Sequence, residues 1–200
     1  MKDMDKKRSN MNKKYKIIAL FGKSGAGKDT IQKCLVQFTN THGIISCTTR
    51  PPREGEVDGE DYYFLSIENF TKKVLSGEML EATEFRDWFY GTSMSALEKD
   101  MINIGVFNIE GIEALLNDPR LDVIPVLVYA EEKTRLIRCL NREENPDCEE
   151  ICRRYFADEE DFKDIPFFYR IWINDKDLTK EDSDSFYKRW QSLESCFREN

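Results

Sequence analysis

Histidine is nearly missing from this sequence: His42 is the only one in 200 residues. That excludes histidine-rich metal centres. With no nucleophile elbow around any serine, it also argues against a Ser-His-Asp hydrolase. No two cysteines are spaced Cys-x-x-Cys among Cys34, Cys47, Cys139, Cys148, Cys152 and Cys196. Reduced thiols are expected, and a Cys/His zinc site is not. Long hydrophobic runs are lacking too. Ile17–Phe21 and Val123–Ala130 fall far short of a bilayer span, and residues 1–14 are charged, with no apolar signal-peptide core. An excess of positive charge is absent as well: 30 basic against 38 acidic residues leave a net charge of -8. This disfavours nucleic acid polymers and anionic membranes as partners. The expectation is a cytoplasmic protein, monomer or homodimer, that is free to carry a local basic site for a small phosphorylated molecule.

The length suits one domain with small inserted subdomains. Residues 1–14 read as a flexible tail, and no internal repeat is visible. Apolar, β-branched Tyr15–Phe21 predicts a buried strand, and the spacing of Ile31, Leu35 and Phe38 predicts a helix from Lys28 to Phe38. Further strands are expected at Gly43–Cys47, Met101–Ile109, Asp122–Ala130 and Ile171–Ile173. Helices are expected at Ile67–Leu75, Glu110–Asn117, Glu131–Asn141, Cys148–Phe162 and Ser183–Arg198. Strands alternating with helices predict an α/β fold with a parallel sheet. The 46–94 stretch interrupts the alternation and reads as an inserted, mixed β/α subdomain.

Gly22-Lys23-Ser24-Gly25-Ala26-Gly27-Lys28-Asp29-Thr30 fits G-x-x-x-x-G-K between a strand and a helix. Glycines in such a loop let backbone N–H groups turn inward around phosphates. The helix start adds a positive dipole end, and the Lys28 ammonium reaches the outer phosphates. ATP with Mg²⁺ is the expected occupant. Where Ser or Thr usually follows the lysine to meet Mg²⁺, this chain has Asp29, a candidate metal ligand. Thr30 remains available to a phosphate oxygen.

Residues 46–64 read S-C-T-T-R-P-P-R-E-G-E-V-D-G-E-D-Y-Y-F. Arg50 and Arg53 are separated by two prolines that stiffen the segment, and two guanidinium forks held this way suit a phosphate monoester. Tyr62 and Tyr90 can donate to the same phosphate. Glu81 offers a carboxylate acceptor, and Ser46 and Thr92 carry hydroxyls that can donate or accept. The segment resembles the guanylate kinase family, whose pattern is S-x-T-T-R-x-x-R-x-G-E-x-x-G-x-x-Y-x-F. Phe70, Gly77-Glu78, Glu81, Tyr90-Gly91 and Thr92 match in register. The resemblance runs over roughly residues 15–175, strongest up to residue 94. It implies that Ser46, Arg50, Arg53, Tyr62, Glu81, Tyr90 and Thr92 bind GMP or dGMP.

Other parts of the chain follow the family less closely. Asn108-Ile109-Glu110-Gly111 stands where the family has Asp-x-Asp. Glu110 can take over as a base-reading carboxylate, whereas Asn108 cannot supply the first charge. The family resemblance also implies a mobile lid at 141–158. Arg138, Arg142 and Arg154 would spread the charge of the transferring phosphoryl group, and Asn174, followed by Asp175, would contact the adenine side. The fold implied is a P-loop three-layer α/β fold over residues 15–200, with 46–94 as the monophosphate-binding subdomain. The reaction implied is ATP-dependent phosphorylation of GMP or dGMP. The rivals are a related ribose bisphosphate phosphokinase, which shares the Gly-Lys-Asp run, and a catalytically silent guanylate-kinase-like binding module.

Overall fold

The structure, a computed structural model, describes residues 14–53, 55–85, 87–142, 144–175 and 183–197. Apart from Lys14, the predicted tail lies outside the described residues. So does Glu143 within the predicted lid, and so does Arg198.

The strands are β1 (Tyr15–Phe21), β2 (Thr41–Gly43), β3 (Cys47–Thr48), β4 (Tyr63–Phe64), β5 (Met79–Phe85), β6 (Trp88–Ser93), β7 (Ile102–Val106), β8 (Leu121–Tyr129) and β9 (Arg170–Ile173). The helices are α1 (Lys28–Phe38), α2 (Ile67–Leu75), α3 (Ile109–Leu116), α4 (Glu132–Leu140), α5 (Cys148–Asp161) and α6 (Ser183–Ser195). One sheet has five strands in the order β2-β7-β1-β8-β9, with β2–β7 and β8–β9 paired in parallel. Continuous apolar runs such as Ile17–Phe21, all fully buried, are what a sheet covered on both faces requires. A second sheet, β4-β3-β6-β5, lies within residues 47–93 and mixes parallel and antiparallel pairs.

The chain folds as two compact units. One comprises residues up to 18, 40–105 and 110–123; the other comprises 19–39, 106–109 and the chain from 124 onward. In the first, Ile17, Ile18, Ile44, Phe70, Ile104, Ile112 and Leu115 form the core. A fully buried Asn103 pins the approach to β7 there. Its amide donates to Lys16 O (3.1 Å) and Glu98 O (2.9 Å), and its carbonyl accepts from Glu98 N–H (2.7 Å). In the second unit, Leu20, Ile31, Leu35, Val126, Val128 and Trp172 are buried. There the Phe21 ring meets Phe162, Phe167 and Tyr169 with centroids 6.0, 5.5 and 5.6 Å away. Two helix starts are capped by the side chain that precedes them. Ser66 accepts from Asn69 N–H before α2, and Asp147 accepts from Glu150 N–H before α5.

Two predicted strands are corrected. Gly43–Cys47 is not one strand: β2 ends at Gly43 in the larger sheet and β3 starts at Cys47 in the smaller one. The apolar run covers the transfer between sheets, with Ile44 N–H still bonded to Ile104 O at 2.8 Å. Met101–Ile109 shortens to Ile102–Val106, because Ile109 already belongs to α3. Among the described residues, no helix is long and apolar enough to cross a membrane.

Candidate active site

The phosphate loop joins β1 to α1 in the second unit. Gly25 and Gly27 have φ of 76° and 90°, the left-handed region in which glycine avoids strain. A Cβ at Gly25 would lie 2.4 Å from the Arg135 carbonyl oxygen, and one at Gly27 would lie 2.5 Å from the Asn174 amide nitrogen. The loop is therefore packed against α4 and the chain after β9 too closely for any side chain. Lys28 curls back and donates to Gly22 O (2.7 Å) and Lys23 O (3.3 Å). Burial of its ammonium draws its pKa below the ordinary lysine value, opposed by the neighbouring carboxylates of Asp29 and Asp158. Asp29 and Thr30 are exposed in the first turn of α1.

Three groups brace the carbonyl side of this loop. The buried Asn174 amide donates to Ala26 O at 2.7 Å, while its own Oδ1 is enclosed without a partner. Arg138 donates to Asn174 O at 2.9 Å and, at longer range, to Gly25 O (3.5 Å) and Ala26 O (3.4 Å). Arg135, buried on the same face of α4, donates to Ser24 O at 3.4 Å. Asp175 accepts from Glu131 N–H at 2.6 Å, fixing the start of α4 against the chain that follows β9.

The second cluster belongs to the first unit. Cross-strand register sets Glu81 of β5 opposite Thr92 of β6. Thr92 and Ser46 share a hydroxyl hydrogen bond of 3.0 Å. Glu81 is 7% exposed, and burial pushes its carboxyl up to about 7, against the hydrogen bonds it accepts from Thr92. Arg50 is equally buried. It pairs with Glu56 at 3.0 Å, donates to Pro51 O at 2.7 Å and lies over the rings of Tyr62 (5.6 Å) and Phe64 (5.8 Å). Its Nε is buried with no partner. Arg53 N–H donates to the same Glu56 carboxylate at 2.7 Å. Tyr62 and Tyr90 meet edge to face, 6.1 Å between centroids. The fold thus gathers half-buried Ser46 with buried Glu81 and Thr92 into one polar group. It gathers Arg50, Arg53, Tyr62 and Tyr90 around a cation–aromatic cage.

A P-loop strand–helix unit and an R-x-x-R cage carried by one chain narrow the choice of family. The guanylate kinase family model matches residues 14–188. The chain belongs to the guanylate kinase family. The guanylate kinase of Onion yellows phytoplasma is 32% identical over 173 residues, covering 83% of this chain and 81% of that protein. The guanylate kinase of Sus scrofa is 32% identical over 167 residues, covering 79% of this chain and 84% of that protein. The crystal structure of guanylate kinase from Anaplasma phagocytophilum superposes with a TM-score of 0.63 over 92% of this chain and 87% of that one. At 21% identity, that likeness speaks for the fold.

For a guanylate kinase family member, the remaining predicted residues are less gathered. Glu110 is exposed in the first turn of α3. Arg142 is exposed beyond α4, near enough to Lys28 to lower its pKa. Arg154 donates to Glu150 at 2.6 Å, as does Arg153, and together they hold the Glu150 carboxyl down at about 2. Glu56, Arg135, Asp158 and Glu159 also hold the site together, beyond the site residues expected from the sequence. The R-x-x-R-x-G-E spacing contained a signal for Glu56, and the i, i+3 spacing to Arg138 contained one for Arg135. Asp158 accepts from Ser24 N–H, 134 positions away in the sequence, and no local pattern signals that.

Proposed function

We propose that this chain is a guanylate kinase, transferring the γ-phosphoryl group of ATP to GMP or dGMP. The observation that carries the reading is the coexistence of two half-sites: a phosphate loop with its lysine, and a buried carboxylate–hydroxyl group beside a two-arginine cage. A guanine edge presents donors, which Glu81 can accept as a carboxylate. A monophosphate is a dianion, which suits Arg50, with its unpartnered Nε, and Arg53. On this reading residues 46–94 are the monophosphate-binding subdomain, and residues 141–158 are the lid.

The reaction needs no covalent enzyme intermediate. A phosphate oxygen of GMP attacks the γ-phosphorus, the bond from that phosphorus to the β-bridging oxygen breaks, and ADP leaves with the electron pair. This chain's residues position the reactants and offset charge. Lys28 exchanges its two loop carbonyls for phosphate oxygens. Asn174 and Arg138 hold the loop, and the enclosed Asn174 Oδ1 is an acceptor suited to the adenine amine. Arg142 and Arg154 serve as lid cations, Arg154 after release from Glu150. Among the described residues, no group of three or more His, Cys, Asp or Glu could hold a metal by itself. Mg²⁺ takes one or two carboxylates together with substrate phosphates, and the exposed Asp29 beside Lys28 fits that donor set. When bound there, the ion would neutralise charge on the phosphates.

The test is a coupled ADP-release assay with ATP and Mg²⁺ against GMP, dGMP, AMP, CMP, UMP, dTMP and ribose 1,5-bisphosphate. Turnover with GMP or dGMP alone is expected. Turnover with the ribose bisphosphate instead would overturn the reading. So would silence from protein that still binds GMP, which would identify a binding module.

A further inference from the structure

One backbone N–H of the phosphate loop, that of Ser24, already holds an anion that belongs to the chain itself. Asp158, on the last turn of α5 and 5% exposed, accepts from Ser24 N–H at 2.6 Å, the length of a strong charge-assisted bond. The adjacent Glu159 takes the Lys23 ammonium at 2.5 Å and stands 3.6 Å from the Arg135 guanidinium. Arg135 in turn donates to Ser24 O. Residues 23 and 24 of the loop are thus tied to α5 through an N–H, a carbonyl and a side chain. One turn earlier on α5, Tyr155 lies under Arg135, 5.8 Å from the guanidinium carbon to the ring centroid. Its hydroxyl donates to Glu132 of α4 at 2.7 Å. The latch therefore links the loop, α4 and α5 within one compact unit.

A nest of inward N–H groups at a helix start favours whatever anion occupies it. A carboxylate and a polyphosphate cannot share Ser24 N–H, and a fixed carboxylate beside an incoming triphosphate is repulsive. We propose that Asp158, seconded by Glu159, is an internal competitor of the ATP phosphates: it closes the empty loop, and nucleotide binding must displace it. The proposal rests on reading the loop as the ATP site. Displacement releases the end of α5, the helix that carries Arg153 and Arg154. The observed affinity for ATP is the intrinsic affinity reduced by the fraction of molecules with the latch shut.

The experiment is calorimetric titration of the full-length chain with inorganic tripolyphosphate and with metal-free ADP, comparing wild type with Asp158→Asn and Glu159→Gln. Asp158→Asn keeps the shape and removes the charge. It should bind tripolyphosphate roughly five- to thirtyfold tighter. Glu159→Gln should show the same direction with a smaller factor, and it carries the test alone if Asp158→Asn does not fold. GMP affinity, measured in parallel, should not change in either variant. Equal or weaker tripolyphosphate binding by a folded variant overturns the latch, because a purely structural brace would change the melting temperature without tightening the ligand. If neither wild type nor variant binds tripolyphosphate or ADP, it is the phosphate-loop reading that falls.

Discussion

Glu56 holds both arginines of the R-x-x-R segment with one carboxylate. It pairs with the Arg50 guanidinium at 3.0 Å and accepts from Arg53 N–H at 2.7 Å. Arg50 and Glu56 are nearly buried, with side-chain exposures of 9% and 14%, so neither charge is satisfied by water if the other is removed.

Glu56→Gln should therefore damage the phosphate cage selectively. The KM for GMP is expected to rise about tenfold or more, as for loss of a charged hydrogen bond. The KM for ATP should stay unchanged, as should binding of guanosine, which has no phosphate. Stability should fall by on the order of 2 kcal/mol, less than for a buried cation left with no acceptor at all. Equal losses for GMP and guanosine would show that Glu56 supports the whole subdomain rather than the cage.

The Glu81 carboxyl, raised to about 7 by burial, predicts two pH dependences. In the ligand-free protein the native state holds a proton that the unfolded state releases near the ordinary carboxyl value of 4.5. Its contribution to stability is therefore full below that value and falls as pH rises to about 7, by on the order of 3 kcal/mol. Guanine donors require the ionised form, so GMP affinity should rise by about tenfold between pH 6 and 8. Titration of the GMP phosphate runs in the same direction. Glu81→Gln separates the two, since it should bind guanosine weakly and without pH dependence. A wild-type guanosine affinity that is flat over this range would refute the assignment.

Asn174→Leu removes the donor to the buried Ala26 carbonyl, 2.7 Å away, and one of the groups that keep the loop in shape. Arg138 still reaches Ala26 O at 3.4 Å, so the cost should lie at the lower end of the about 1–3 kcal/mol of an unsatisfied buried carbonyl. Urea denaturation should show a loss of that size, with KM for ATP raised and KM for GMP unchanged. Asn174→Asp should be worse, because it turns an acceptor with no proton toward Ala26 O.

Asp29→Asn tests the metal assignment. Removing the only carboxylate in the first turn of α1 should shift the midpoint of a Mg²⁺ titration upward several-fold at saturating ATP and GMP. Asp29→Ser, which restores the hydroxyl of the usual motif, should not exceed wild-type turnover if Asp29 makes good the charge missing at Asn108. An unchanged Mg²⁺ midpoint in both variants would remove Asp29 from the metal site.

Local chemistry carried much of this protein in its sequence. The apolar run before Gly22, the glycine spacing and Lys28 specify a strand, a phosphate loop and a helix. Each depends on neighbours a few residues apart, through steric freedom at glycine and 3.6-residue periodicity. The two arginines and the prolines between them, together with their aromatic partners, mark the proposed second half-site in the same way. Other features came only with the tertiary structure. The run Gly43–Cys47 looks like one strand because apolar content does not reveal a change of sheet. Glu81 stands out in the sequence as a candidate base acceptor, but its raised titration does not: strand pairing buries it against Thr92, and the desolvation that shifts it has no counterpart along the chain. Arg138 and Asn174 looked like groups for reaching a nucleotide, and folding turned them onto the carbonyls of the loop. Asp158 reads as one more acid in a charged helix, and only the fold carries it to Ser24 N–H. Sequence determined which groups could bind phosphate and base; the three-dimensional packing decided which of them are already occupied by the protein's own side chains.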